Sequence, residues 1–118
     1  MRMAKSQLSD LEDKVRVFCE ARSWGSFHSI KNLAIGAVTE ASELVEPFRF
    51  LTDEESQKFV ESPEGRVAVE DEMADVFFFL LRISQRQGID LAGALDRKLL
   101  KNSIKYPAPT RHAPPSTK

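Results

Sequence analysis

With a single cysteine, Cys19, the chain has no internal disulfide to staple it, and a reducing cytoplasm is the expected compartment. Cys19 stands beside Val15 and Phe18 at helical spacing, so it reads as a packing residue and not as a nucleophile. Long hydrophobic runs are absent. The longest, residues 76–81, is far too short to span a membrane. The first nine residues lack the apolar stretch of a signal peptide. Charge of one sign is also missing: 17 basic against 18 acidic residues leave a net charge of −1. No strong field draws nucleic acid or an anionic membrane, so neither is expected as a partner. Strand signals are missing as well, because no period-2 alternation lasts long enough. Glycine and proline are few, five and six, and mostly sit at plausible punctuation points.

What remains is a soluble composition, 42% hydrophobic and 30% charged, in 118 residues, enough for one domain and one core. Helical periodicity dominates. Ser9 with Glu12 has capping-box spacing and opens a first helix through Leu11, Val15 and Phe18, with Gly25 closing it. A second helix starts near Ser29 and should end or kink at about Glu46, ahead of Pro47. Thr52 with Glu55 caps a short helix to about Val60. Ser62, Pro63 and Glu64 open the longest helix, which Gly88 stops. Asp90 caps a last helix to about Lys105. The expected fold class is therefore all-α, a four-to-five-helix bundle over residues 1–107. Residues 108–118 should form a flexible tail, since four prolines fall among the 12 residues after Tyr106.

The long helix carries Val76-Phe77-Phe78-Phe79-Leu80-Leu81, apolar on every side. A buried strand is the competing reading, but the helical pattern around it favours helix. A helix apolar all round must be covered all round, which a chain this small would struggle to do alone. A homo-oligomer interface is the expectation.

Two acidic pairs carry the chemistry. Glu40 and Glu43 are three apart on the second helix, and Glu72 and Asp75 three apart on the long one, so each pair shares a helix face. If the two helices pack antiparallel, the four carboxylates meet. Such a cluster resists full ionisation without a cation. Oxygen-only ligands select a hard ion, Mg²⁺ or Mn²⁺, completed by substrate phosphates. Acidic pairs on solvated helix faces are common, but these are interleaved with Ala37, Val38, Ala41 and Leu44, and Asp75 abuts the phenylalanine run. Both a metal site and a solvated pair remain open on this ground. A di-iron carboxylate bundle is disfavoured: it needs Glu-x-x-His pairs, and the only histidines, His28 and His112, lie off the acidic helices.

Trp24, Phe27 and His28 form an aromatic cluster before the second helix, able to stack on a nucleobase and to hydrogen-bond it, or simply to plug the helix entry. Lys98, Asn102 and Lys105 recur at helical spacing, followed by Tyr106 and Pro107. They fit either phosphate binding or a solvated basic helix end.

Taken together, four stretches resemble the MazG-like all-α nucleoside triphosphate pyrophosphohydrolases, and within them the single-domain dCTP pyrophosphatases. They are Trp24-x-x-Phe27-His28-x-x-Lys31-Asn32-Leu33, Glu40-x-x-Glu43-Leu44, Glu72-x-x-Asp75-Val76, and Lys98-x-x-x-Asn102-x-x-Lys105-Tyr106-Pro107. The resemblance implies hydrolysis of a dNTP, dCTP or a modified pyrimidine first, to dNMP and pyrophosphate, as nucleotide-pool house-cleaning. A dUTP-preferring or broad-specificity enzyme is the alternative, and a non-catalytic oligomerisation module the bland one. It implies Mg²⁺ on Glu40, Glu43, Glu72 and Asp75, with Mn²⁺ a possible substitute. Trp24 and His28 would line the base pocket, with Lys31 and Asn32 beside them. Lys98, Asn102, Lys105 and Tyr106 would touch phosphate or sugar. Glu43 or Glu46 would serve as general base. Dimers or tetramers with sites built across subunits are implied too. Pro47 departs from the pattern and bears on the geometry just after Glu46.

Overall fold

The computed structural model describes residues 6–109. Five helices follow one another: α1 (Gln7–Ala21), α2 (Ile30–Val45), α3 (Asp53–Glu61), α4 (Pro63–Gln87) and α5 (Leu91–Lys105). Among the described residues there is no strand, and no helix is long and apolar enough to cross a membrane. Two short 3₁₀ turns, Trp24–Phe27 and Glu46–Phe48, flank α2. The chain divides after Gly88 into two compact units, inside the stretch expected to act as one helical domain. Most of the expected tail, residues 110–118, lies outside the described residues.

Local chemistry explains most boundaries. Ser29, Thr52, Ser62 and Asp90 each accept the backbone N–H three residues on, as N-caps do. Thr52 and Glu55 complete a reciprocal capping box. Gly88 ends α4 at φ 64°, a left-handed conformation that glycine adopts without a Cβ penalty. The Val76–Leu81 run is helical, not extended. At Pro47, α2 gives way after Val45 to a 3₁₀ turn without leaving the right-handed backbone region.

The start of α1 corrects the sequence reading. Ser6, not Ser9, is the N-cap, its hydroxyl accepting the Ser9 N–H, so the helix begins at Gln7. Glu12 is thereby freed from capping. It turns toward α4 and accepts the Ser84 hydroxyl instead. The end of α1 also falls earlier than Gly25: Ser23, at φ 55°, breaks the helix just after its Arg22 cap.

Within residues 6–88, α4 is the central element, packed against α1, α2 and α3. Two close approaches fix the direction of α2. As α2 advances from Gly36 to Glu40, its partner on α4 retreats from Phe79 to Asp75, so the helices run antiparallel. The seam is periodic on both sides. Leu33, Gly36, Glu40 and Glu43 on α2, and Glu72, Asp75, Phe79 and Arg82 on α4, follow three-and-four spacing, one stripe each. Gly36 allows the close approach. A Cβ there would stand 2.3 Å from the Phe79 ring. Gly36→Ala should therefore force the ring or the helix aside and cost about 1–3 kcal/mol, read by denaturant unfolding.

The core is thin. Among the described residues the buried apolar side chains are Cys19, Leu33 and Leu81, and the buried polar ones Arg82 and Ser84. Burial pushes the Cys19 thiol pKa up, as suits a packing residue. The phenylalanine run splits three ways. Phe79 faces α2, Phe78 stacks edge-on against Phe18 of α1, and Phe77 stays over a third exposed with Leu80. Phe77 and Leu80 line an apolar groove of about 400 Å³ with Leu44, Met73, Ala74 and Val76.

Candidate metal centre and base pocket

The antiparallel seam brings the two acidic pairs to one place. Glu40, Glu43 and Glu72 each offer an oxygen within 4.8 Å of the others. Asp75 stands close enough beside them to raise the Glu40 carboxyl pKa. Two oxygens on one Mg²⁺ stand at most roughly 4 Å apart, so a slight inward contraction suffices. Glu40 and Glu72 are half-buried; Glu43 and Asp75 reach solvent.

Electrostatics make the cluster unstable as four anions. Desolvation and then the Glu43 charge push the Glu40 carboxyl up to about 7, with Asp75 adding to the rise. Glu72 is raised by desolvation and then by Glu43, Asp75 and Asp71. One oxygen of Glu72, Oε2, is buried with no hydrogen-bond partner, the sole such side-chain atom among the described residues. An orphaned carboxylate oxygen at the centre of an acidic cluster is costly unless a cation meets it. The residues therefore fit a divalent cation.

Beside the cluster opens a cleft of about 380 Å³ lined by Glu43, Glu46, Pro47, Ala68 and Glu72. Glu46 sits in this cleft and not in the cluster. Its Oε1 is 3.6 Å from the Arg49 guanidinium, an exposed pair of little energetic weight.

Seven residues, or two turns, beyond Asp75 along the α4 stripe lies Arg82, about 10 Å up the helix axis. It is 2% exposed, and its Nε donates to Nδ1 of His28 at 3.0 Å. Trp24 packs edge-on against His28, ring centroids 5.8 Å apart, and against Phe18 at 5.6 Å. Trp24 and His28 are thus neighbours over the same stripe that carries the carboxylates. Asn32 is engaged locally: its Nδ2 donates to the Phe27 carbonyl at 3.0 Å, bracing the turn that holds His28. Lys31 lies on another side of α2, in a shallow groove with Ala34, Ile35, Val38 and Thr39, and the seam does not bring it to the carboxylates.

In the second unit, Lys98, Asn102 and Lys105 share one side of α5, spaced four and three apart. The Asn102 carbonyl accepts the Tyr106 N–H at 2.7 Å, closing the helix, and the Lys105 ammonium stands 5.3 Å over the Tyr106 ring.

No family profile matches the chain. An archaeal pyrophosphatase of known crystal structure, from Archaeoglobus fulgidus, is similar at a TM-score of 0.81 and 33% identity, over 91% of this chain and 98% of that one. The dCTP pyrophosphatase 1 proteins of Homo sapiens and Bos taurus are 36% and 33% identical over 101 and 100 residues, 86% and 85% of this chain. The chain belongs to the MazG-like all-α pyrophosphohydrolase family. It spans 59% of the length of each of those curated relatives.

In this MazG-like chain, two arginines that sequence reasoning passed over bear on His28: Arg82, buried in the seam, and Arg86, exposed one turn on. Arg82 and Arg86 continue the spacing of Glu72, Asp75 and Phe79, so helical phase alone marks them. Arg86 runs along the turn below His28, with Nη1 3.1 Å from where a Gly25 Cβ would be. An arginine directly after six apolar residues was the available signal. The Glu12–Ser84 contact had none, because it depends on where α1 begins.

Proposed function

We propose that this chain hydrolyses nucleoside triphosphates to the monophosphate and pyrophosphate, with pyrimidine deoxynucleotides, dCTP foremost, as substrates. The observation that carries the reading is the convergence of carboxylates from two antiparallel helices around an oxygen with no partner of its own. Glu40, Glu43, Glu72 and Asp75 would hold Mg²⁺, with Mn²⁺ as a substitute. Such a cation supplies charge neutralisation for the triphosphate and a bound water of lowered pKa.

The protein's own groups do the rest. Glu43 reaches solvent at the edge of the cluster, and Glu46 faces the adjoining cleft, so either carboxylate can accept the proton of an attacking water. The water oxygen bonds to the α-phosphorus, the bond from that phosphorus to the bridging oxygen breaks, and pyrophosphate leaves. Trp24 offers an aromatic face to the base and His28 a polar edge. Asn32 is assigned to the same pocket through the turn it braces. Lys98, Asn102, Lys105 and Tyr106 are assigned to phosphate and sugar, where Lys98 and Lys105 offset the charge of the departing pyrophosphate. A panel of dNTPs with pyrophosphate detection tests the activity. Release above background for dCTP in Mg²⁺ is expected, and none for any nucleotide would reject it.

A homo-oligomer belongs to the same reading. Met73, Phe77 and Leu80 are each over a third exposed around one apolar groove on α4, while Val38, Ile35 and Val45 are more than half exposed on α2. Apolar surface on this scale in a thin-cored protein favours burial against a second copy. Leu80→Glu should shift the protein toward monomer in light scattering and lower its Tm. An unchanged mass from a wild-type protein that is itself oligomeric would remove the groove from the interface.

A further inference from the structure

The Arg82–His28 pair is unusual in its composition. A buried guanidinium commonly faces a carboxylate. Here Nε donates to an imidazole nitrogen at 3.0 Å, and Nη1 donates to Oε1 of Gln85 at 2.6 Å. Arginine has five N–H donors and no acceptor. The nitrogen facing it must therefore be an acceptor, so Nδ1 of His28 carries no proton. A neutral imidazole unprotonated at Nδ1 carries its proton on Nε2.

We propose that Arg82 is a positioning residue that locks His28 as its Nε2–H tautomer, so that the ring meets the nucleobase only as a donor, to a carbonyl oxygen or bare ring nitrogen. The contact with a base rests on the pyrophosphohydrolase reading above; the lock does not. Three observations support the assignment together. Arg82 is all but fully buried and cannot swing away to solvent. Trp24 packs against the same imidazole, leaving the ring at the edge of an aromatic platform. Arg82 shares a stripe with Asp75 two turns away, so His28 is held on the side of α4 that carries the carboxylates, about 10 Å from them along the helix axis. The charged groups bearing on His28 are Arg82 and Arg86, both from α4. Together with burial, the largest cause, they lower its pKa and keep the ring neutral near pH 7. A base edge that presents only an amino group to Nε2 would set donor against donor and be rejected.

The test uses ¹⁵N-labelled full-length protein without nucleotide, the His28 ring signals being assigned by their loss in His28→Gln. In wild type, Nδ1 should be unprotonated and Nε2 protonated, with a titration midpoint below that of a free histidine. In Arg82→Met the two nitrogens should move toward the averaged signals of a tautomer mixture and the midpoint should rise. Arg82→Lys, which keeps a donor, should retain the wild-type pattern. A proton on Nδ1 in wild type overturns the lock whatever the variants do, including any that fail to fold. An unchanged ring in folded Arg82→Met overturns it too. With dCTP, Arg82→Met should raise KM about twofold, since an unlocked ring holds the donor tautomer only part of the time, and leave kcat unchanged within error. A moved ring with an unmoved KM overturns the base contact. Wild-type protein that hydrolyses no nucleotide overturns the proposed function instead, while the ring signals still decide the lock.

Discussion

Asparagine in place of Asp75 should abolish pyrophosphate release and, in metal-free buffer, raise the melting temperature. The two effects have opposite signs for one reason. Asp75 sits against Glu40 at the point where four carboxylates crowd together, and like charges at that range raise each other's energy. Removing one charge relieves the fold. The same change deletes a ligand that the cation needs. Loss even of groups that merely orient metal ligands costs about 10–100-fold, so loss of a ligand should cost at least about a hundredfold in kcat/KM. Glu43→Gln should behave alike. Helical content by circular dichroism should be unchanged in both, since neither side chain is buried. Full activity in folded Asp75→Asn would remove the carboxylates from the reaction. A drop in metal-free melting temperature would show that the aspartate is a structural partner and not a strained one.

Mg²⁺ affinity should climb with pH through neutrality. Glu40 is pushed up to about 7 by desolvation and by Glu43, so near pH 6 it is roughly nine-tenths protonated and near pH 8 roughly nine-tenths ionised. A proton and a cation compete for the same oxygens, which makes the apparent affinity at pH 6 about tenfold weaker than at pH 8. Stability without metal should run the other way. A carboxyl whose pKa rises on folding adds stability below its unfolded value, about 4.5, and loses that contribution as pH passes through about 7. Glu72, raised in the same direction, reinforces the slope. Melting temperatures at several pH values, with chelator and with saturating Mg²⁺, read both trends: a falling curve with chelator, and a Mg²⁺ increment that grows with pH. An increment independent of pH between 6 and 8 would exclude Glu40 as a ligand.

Much of the molecule is legible in the chain itself. Caps at Ser29, Thr52, Ser62 and Asp90 act through side chains three residues from the amides they bind, so they operate before any tertiary contact. The acidic pairs are legible for the same reason, since spacing of three sets a shared helix face. Ser9 misled because Ser6 is an equally good cap one turn earlier, and the choice between them is made by what the helix then packs against. With the start at Gln7, Glu12 meets Ser84 across α1 and α4.

Sequence by itself therefore determined an all-helical chain of four to five helices, their boundaries to within a turn, and which carboxylates share a face. Only the tertiary structure decided that the two acidic faces meet, that Glu72 keeps an unpartnered oxygen, and that Arg82 turns inward to His28. The division follows from range. Caps and helical spacing are interactions over three or four residues, written in the local chain. The seam joins residues some thirty to fifty apart, and its register depends on one absent side chain, at Gly36, where no Cβ keeps Phe79 and the helices from closing.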